Sequence, residues 1–170
     1  MNLSYKELIP DDFSADSRVW VYQCNRCFSI SEAIEIEEKL NEFTYDWKSH
    51  QVPVKGFGTL FFGRFIILMA DETATGVSGC STDSSVRLIK SLEQTYNVGL
   101  FERTLLAFVI KEKIELLPLS QINYAFENNF INADTLFFDN NIESKDALIN
   151  KWIIPVKESW ISKRYSKSII

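Results

Sequence analysis

Apolar and polar residues along this chain fall into short blocks whose period switches between that of a strand and that of a helix. Arg18 to Gln23 (Arg-Val-Trp-Val-Tyr-Gln) is rich in β-branched and aromatic residues and predicts a first strand. Ser29 followed by Glu32 has the spacing of a capping box. The helix that follows carries Ile36, Leu40, Phe43 and Trp47 on one stripe and Glu35, Glu38 and Glu42 opposite, so its apolar face should cover a sheet. Two strands come next, roughly Lys55 to Phe61 and Arg64 to Asp71, and Gly63 between them marks a tight hairpin. Phe65 to Ala70 shows no alternation, as expected of a central strand buried on both faces. A second helix, Ser84 to about Asn97, gathers Leu88, Ile89, Leu92 and Tyr96 and ends at a C-cap sequence, Asn97-Val98-Gly99. Thr104 to Ile110 is another apolar strand.

The resulting order, β-α-β-β-α-β, predicts an α+β protein with a ferredoxin-like βαββαβ core, an antiparallel sheet carrying both helices on one face. Ile114 to Leu117 extends or pairs with the fourth strand. Pro118 to Asn129 predicts a helix, Thr135 to Asp139 a short strand, and Ser144 the cap of a last helix. That helix holds Leu148 and Trp152, and Pro155 stops or kinks it before Val156 and Trp160 continue the C-terminal extension. Residues 1–17 read as a partly ordered lead-in and residues 18–170 as one domain, with no repeats or low-complexity tracts.

Composition narrows the class. The chain is 46% hydrophobic and 14% aromatic with six Gly and four Pro, which is globular rather than disordered. At 170 residues it should bury roughly 70% of its unfolded surface. The net charge of −5 is uneven: residues 1–50 carry five basic and ten acidic groups, residues 151–170 five basic and one acidic. The acidic balance speaks against nucleic acid as a partner, and the basic tail (Lys157, Lys163, Arg164, Lys167) reads as a solvated helix end. No stretch supplies the roughly 18 apolar residues a membrane helix needs, and no signal peptide opens the chain. Three cysteines in a chain with a core of this size point to reduced thiols and a cytoplasmic setting.

The most informative loop is Gly76 to Ser85, small residues that join an apolar strand to a helix. Backbone N–H groups and partial positive charge at a helix start favour an anion or a thiolate. Gly79, Ser81, Thr82 and Ser84, with Arg103, form the candidate anion-binding set, and Cys80 the candidate nucleophile. The predicted topology brings the loop after the first helix and the loop before the second to one end of the sheet. His50, the chain's single histidine, would then serve Cys80 as base, with Asp83 as third member. Asp83 also opposes this role by like-charge repulsion with a thiolate, and the same residues make an ordinary capped helix start. Cys80 to Arg87 misses the spacing of a phosphatase loop by one residue.

Cys24-Asn25-Arg26-Cys27 follows the first strand, at the opposite end of the predicted sheet, in the position of a thioredoxin-like redox dithiol. Val52-Pro53 is a candidate for the cis-proline that faces such a pair, although Ser29 and Glu32 start the helix after the second cysteine. One dithiol, a distant Cys80 and one histidine do not make a zinc site, so no metal or cofactor is implied. Gly58 to Phe65 has the glycine spacing of a phosphate-binding loop without its lysine, inside a hairpin.

Taken in order, Gly79-Cys80-Ser81-Thr82-Asp83-Ser84-Ser85, Leu100-Phe101-Glu102-Arg103, Phe137-Phe138-Asp139-Asn140-Asn141 and Pro155-Val156-Lys157-Glu158-Ser159-Trp160, with Trp47 and His50, resemble a family of short uncharacterised bacterial proteins sometimes labelled ABC-transporter ATPases. The resemblance runs from about Arg18 to Arg164 and implies no particular activity; no complete phosphate-binding loop supports the ATPase label. The chain departs from the family pattern at Thr82, where an apolar residue is expected, and at Ile161, where a histidine is. Together these features predict a non-catalytic binding or interaction module, with a small ligand, a protein or a second copy of the chain as partner. A thiol-dependent enzyme built on Cys80 and His50, and dithiol redox chemistry at Cys24 and Cys27, are the alternatives.

Overall fold

The computed structural model describes residues 1–49, 51–72 and 79–165. The chain is a mixed α+β protein with antiparallel sheets, and it divides into two compact units. The first comprises Leu3–Glu102 and Asn141–Ile149, the second Met1–Asn2, Arg103–Asn140 and Asn150–Ile170. Among the described residues no helix is long and apolar enough to cross a membrane.

The first unit is built on β1 (Arg18–Gln23), α1 (Ile30–Asp46), β2 (Lys48–Ser49), β3 (Val52–Pro53), β4 (Lys55–Phe61), β5 (Phe65–Asp71) and α2 (Gly79–Tyr96). Its main sheet has the order β1-β5-β4, antiparallel throughout, with Tyr22 opposite Ile66 and Leu60 opposite Ile66 from the other side. β5 is buried along its whole length, as its unbroken apolar run predicts. One face packs Tyr22, Ile66 and Leu68 against Ile36 and Leu40 of α1 and Ile89 and Leu92 of α2. The lead-in residues cross toward the hairpin end, where Tyr5 meets the Phe61 ring at 5.6 Å and its hydroxyl donates to the Leu148 carbonyl at 2.6 Å. Burial pushes that phenol up to about 12. Tyr5, Ile9 and Phe13 are all buried, so this segment is more ordered than its composition suggests.

A fourth strand would complete a ferredoxin-like sheet beside β1. That edge is occupied instead by residues from far along the chain: Val19 N–H donates to Glu143 O at 3.0 Å, Lys145 N–H to Ser17 O at 2.9 Å, and Arg18 bridges Ser144. The opposite edge, β4, is covered from α1, where a Glu37 carboxylate oxygen accepts from Leu60 N–H at 2.7 Å and Thr59 Oγ1 at 3.1 Å. The turn joining β4 to β5 has positive φ at Phe62 (54°) and Gly63 (61°), which the glycine makes easy.

The strand expected in fourth place, β6 (Leu105–Ile110), belongs to the second unit. There it joins β7 (Lys113–Pro118), β8 (Leu136–Phe138) and β9 (Ile153–Pro155) in a sheet of order β7-β6-β8-β9. α3 (Ile122–Glu127) and α5 (Trp160–Arg164) supply its helical cover, with Phe108, Ile122, Phe126, Phe137, Val156 and Ile161 forming the core. Ser144 does start a helix, α4 (Lys145–Lys151), its Oγ accepting from Ala147 N–H at 3.2 Å. The helix stops before Trp152, however, and Pro155 closes a strand rather than kinking a helix.

Candidate functional site

α1 and α2 lie side by side on the sheet, and a groove of about 650 Å³ opens between the C-terminal half of α1 and the middle of α2. The helix periodicity that buries Ile36 and Leu40 brings Phe43 and Trp47 to the same stripe near the end of α1, where they line the groove with Leu88. The Phe43 and Trp47 rings lie tilted to each other at 5.0 Å between centroids, and Trp47, itself buried, meets Trp20 of β1 at 5.9 Å. Around this aromatic wall stand three cations, Lys39, Lys48 and Arg87, and two carboxylates, Glu42 and Asp46, with Ser84 and Ser91. The arrangement can hold a small molecule that presents an apolar group to the rings and both signs of charge to the rim.

Lys48 of β2 and Ser84 of α2 line one groove, so the segment after the first helix and the start of the second share an end of this unit, as the topology predicts. His50 lies outside the described residues, as do residues 73–78 and the side chains of Gly79, Cys80 and Ser81. The second helix begins at Gly79, earlier than the cap-forming residues suggest. Asp83 and Ser84 therefore lie past its first turn, where N–H groups are already committed within the helix, and Asp83 is not a cap. Ser85 is fully buried and its Oγ donates to Thr82 O at 2.8 Å, the local back-bonding that lets hydroxyl residues sit inside a helix. Thr82 is half-buried, Asp83 exposed, and Arg103 an exposed residue of the second unit. Ile161 fills the second unit's core without exposure, at the position where the resemblance implies a histidine.

The two remaining cysteines sit where α1 begins. The helix has 17 residues and so spans about 25 Å, which separates this end from the groove. Cys24 N–H donates to Arg64 O at 2.9 Å, Phe28 N–H to Gly63 O at 2.8 Å and Asn25 N–H to Gly99 O at 3.1 Å, tying β1, the β4–β5 turn and the end of α2 together. Cys24 is buried, and burial pushes its thiol up; Cys27 is exposed. Both thiols are free. Cys27 precedes the cap at Ser29, as the Ser29–Glu32 spacing predicts, so it does not enter the helix. The cis-proline candidate is corrected: Pro53 lies in the β2–β3 hairpin near the other end of α1, with no cis bond among the described residues. Gly58 lies within β4, so its spacing to Gly63 belongs to a hairpin and cradles no phosphate.

Ser29 and Glu32 form the full capping box, and Glu32 also binds Arg26 through two contacts of 2.8 Å. The guanidinium first, and the Ser29 N–H next, lower the Glu32 carboxyl from 4.5 to about 2. A carboxylate depressed on folding contributes stability above its unfolded value and loses it as pH falls through the folded one. The acid limb of the stability profile should therefore fall more steeply between pH 4.5 and about 2 in the native protein than in Glu32→Gln. Urea midpoints across that window measure it, and identical slopes would contradict it.

Sequence reading overlooked the polar half of the groove, because Lys39, Glu42, Lys48 and Arg87 look like ordinary solvated positions. It also passed over Arg64. The signal there was a cation opening the most apolar run of the chain. No protein-family model, curated protein or solved structure matches the chain.

Proposed function

We propose that the protein is a non-catalytic binding module whose α1–α2 groove holds a small zwitterionic organic ligand, amino-acid-like or a short peptide. One observation carries this reading: Phe43, packed on the buried Trp47, is ringed by three cations and two carboxylates in a space of about 650 Å³. In this reading the first unit is a ferredoxin-like frame without its fourth strand, acting in the cytoplasm, with its helical layer serving as the ligand face. The test is titration with a panel of free amino acids and dipeptides, followed by amide NMR shifts. Saturable changes are expected at Lys39, Phe43, Trp47, Arg87 and Leu88. Arg87→Glu should weaken binding about tenfold, the scale of one charge-assisted contact, with an unchanged unfolding midpoint. A panel that moves none of these amides, or an Arg87→Glu protein that binds equally well, overturns the reading.

The second reading, a thiol-dependent enzyme using Cys80, His50 and Asp83, is favoured by one groove being lined by Lys48, two residues before His50, and by Ser84, the residue after Asp83. Cys80→Ser separates the two. Ligand binding survives the substitution in a binding module, whereas an enzyme loses turnover of the bound molecule.

A further inference from the structure

We propose that Cys27 is a site of reversible oxidation by hydroperoxides, with Arg64 holding the negative charge that the reaction creates. Arg64 is only 8% exposed. Its Nη1 donates to Cys24 O at 3.2 Å and its Nη2 to Cys27 Sγ at 3.3 Å, while its Nε has no partner among the described residues. Among those residues no carboxylate lies within ion-pair distance of it. Glu32, the nearest acid in sequence to the cysteines, is committed to Arg26 at 2.8 Å and to Ser29 N–H at 2.7 Å. A guanidinium is charged at any ordinary pH, and a buried charge without a counter-charge is costly. The atom this cation faces is the sulfur of an exposed residue, in a contact that is only part-buried, so a small oxidant has a way in. A buried cation aimed at an open thiol has a physical use if that sulfur becomes anionic.

The step balances without any bound cofactor. A lone pair on Cys27 Sγ attacks the terminal oxygen of the hydroperoxide, the S–O bond forms and the O–O bond breaks. Sulfur gives up two electrons and becomes a sulfenic acid. The departing oxygen takes the thiol proton and leaves as an alcohol, or as water from hydrogen peroxide. Negative charge developing on the leaving oxygen stands beside Arg64, as does the sulfenate formed when the sulfenic acid gives its proton to water. Two equivalents of a low-molecular-weight thiol reverse the change. The first forms a mixed disulfide and releases water, and the second displaces Cys27 as free thiol with a small-molecule disulfide as product. Cys24 takes no part, being fully buried in the core. The site stands at the end of α1 away from the groove and does not depend on what the groove holds.

The experiment treats the full chain with dilute hydrogen peroxide in the presence of dimedone and maps the adducts by peptide mass spectrometry. Cys27 should be labelled about tenfold faster than free cysteine, and Cys27→Ser should remove that adduct. Arg64→Gln should slow the labelling about tenfold and Arg64→Lys should restore most of it. Because Arg64 also holds the Cys24 carbonyl, a second measurement uses the unmodified protein. Anionic iodoacetate should gain on neutral iodoacetamide at Cys27 by about threefold over the ratio for free cysteine, as a neighbouring cation requires. Labelling no faster than free cysteine, a reagent ratio equal to that of free cysteine, or a Cys24–Cys27 disulfide as the product would overturn the proposal.

Discussion

Trp152→Ala should lower the stability of the folded chain by about 3–5 kcal/mol, the range for deleting a large aromatic side chain from a packed core. Trp152 is fully buried, and its ring meets Phe138 edge-on at 5.5 Å. Its Nε1–H donates to Asn140 Oδ1 at 3.0 Å, and its own carbonyl accepts from Asp139 N–H at 2.7 Å. Trp152 thus fastens the end of β8 and the residues after it to the chain just before β9. Alanine removes both the ring and the hydrogen bond, and the neighbouring backbone, held in the β8–β9 ladder, cannot collapse into the space. Trp152→Phe keeps an aromatic ring against Phe138 and loses the bond to Asn140, so it should cost only about 1–2 kcal/mol. Denaturant unfolding followed by near-ultraviolet circular dichroism measures both. Equal losses for the two variants would show that the hydrogen bond, not the packing, fixes this corner.

Trp152 also shows where sequence reading stops. Leu148 and Trp152 have helical spacing, and that local signal matched α4 as far as Lys151. The hydrogen bonds that turn the next residues into a strand come from Leu136, Phe137 and Phe138, which no local pattern connects to them. The same limit governs β6. An apolar run at Leu105–Ile110 announces a strand but does not say which edge it joins. The edge of β1 was claimed by Glu143 and its neighbours, and β6 went to a sheet with β7 and β8. Elements fixed by contiguous chemistry were legible: the Ser29–Glu32 capping box, the unbroken β5, and the Asn97 turn that ends α2 with Val98 N–H on Glu93 O at 3.1 Å. The start of α2 was not, since Ser and Thr residues that prefer caps also bond backwards inside a helix. Of the candidate site, the shared end of the two helices followed from topology. The charged rim did not, because a surface lysine lining a groove has the same sequence signature as one facing water.

The second half of α1, which carries Phe43 and Trp47 to the groove, lies close against β4, and that closeness depends on glycine. A Cβ placed on Gly58 would lie 3.1 Å from the Cβ of Leu40 and 3.3 Å from Leu68 Cδ2 and Thr44 Cγ2. On Gly56 it would lie 2.9 Å from the Trp47 ring. Gly58→Ala should therefore destabilise by about 1–3 kcal/mol through overpacking, although alanine would lower the entropy of the unfolded chain. Leu40→Ala should cost about 2–5 kcal/mol, since Leu40 is fully buried beneath the helix. Neighbouring core residues usually couple, and a cavity usually relieves a clash. Here the tightest contact is with the Cβ of Leu40, which alanine retains, so the double variant should show the sum of the two losses within about 0.5 kcal/mol. The three urea midpoints decide it. A double variant markedly more stable than that sum would mean that the ends of flexible side chains limit the approach. The helix would then be free to shift on the sheet, and the aromatic wall of the groove would be adjustable rather than fixed.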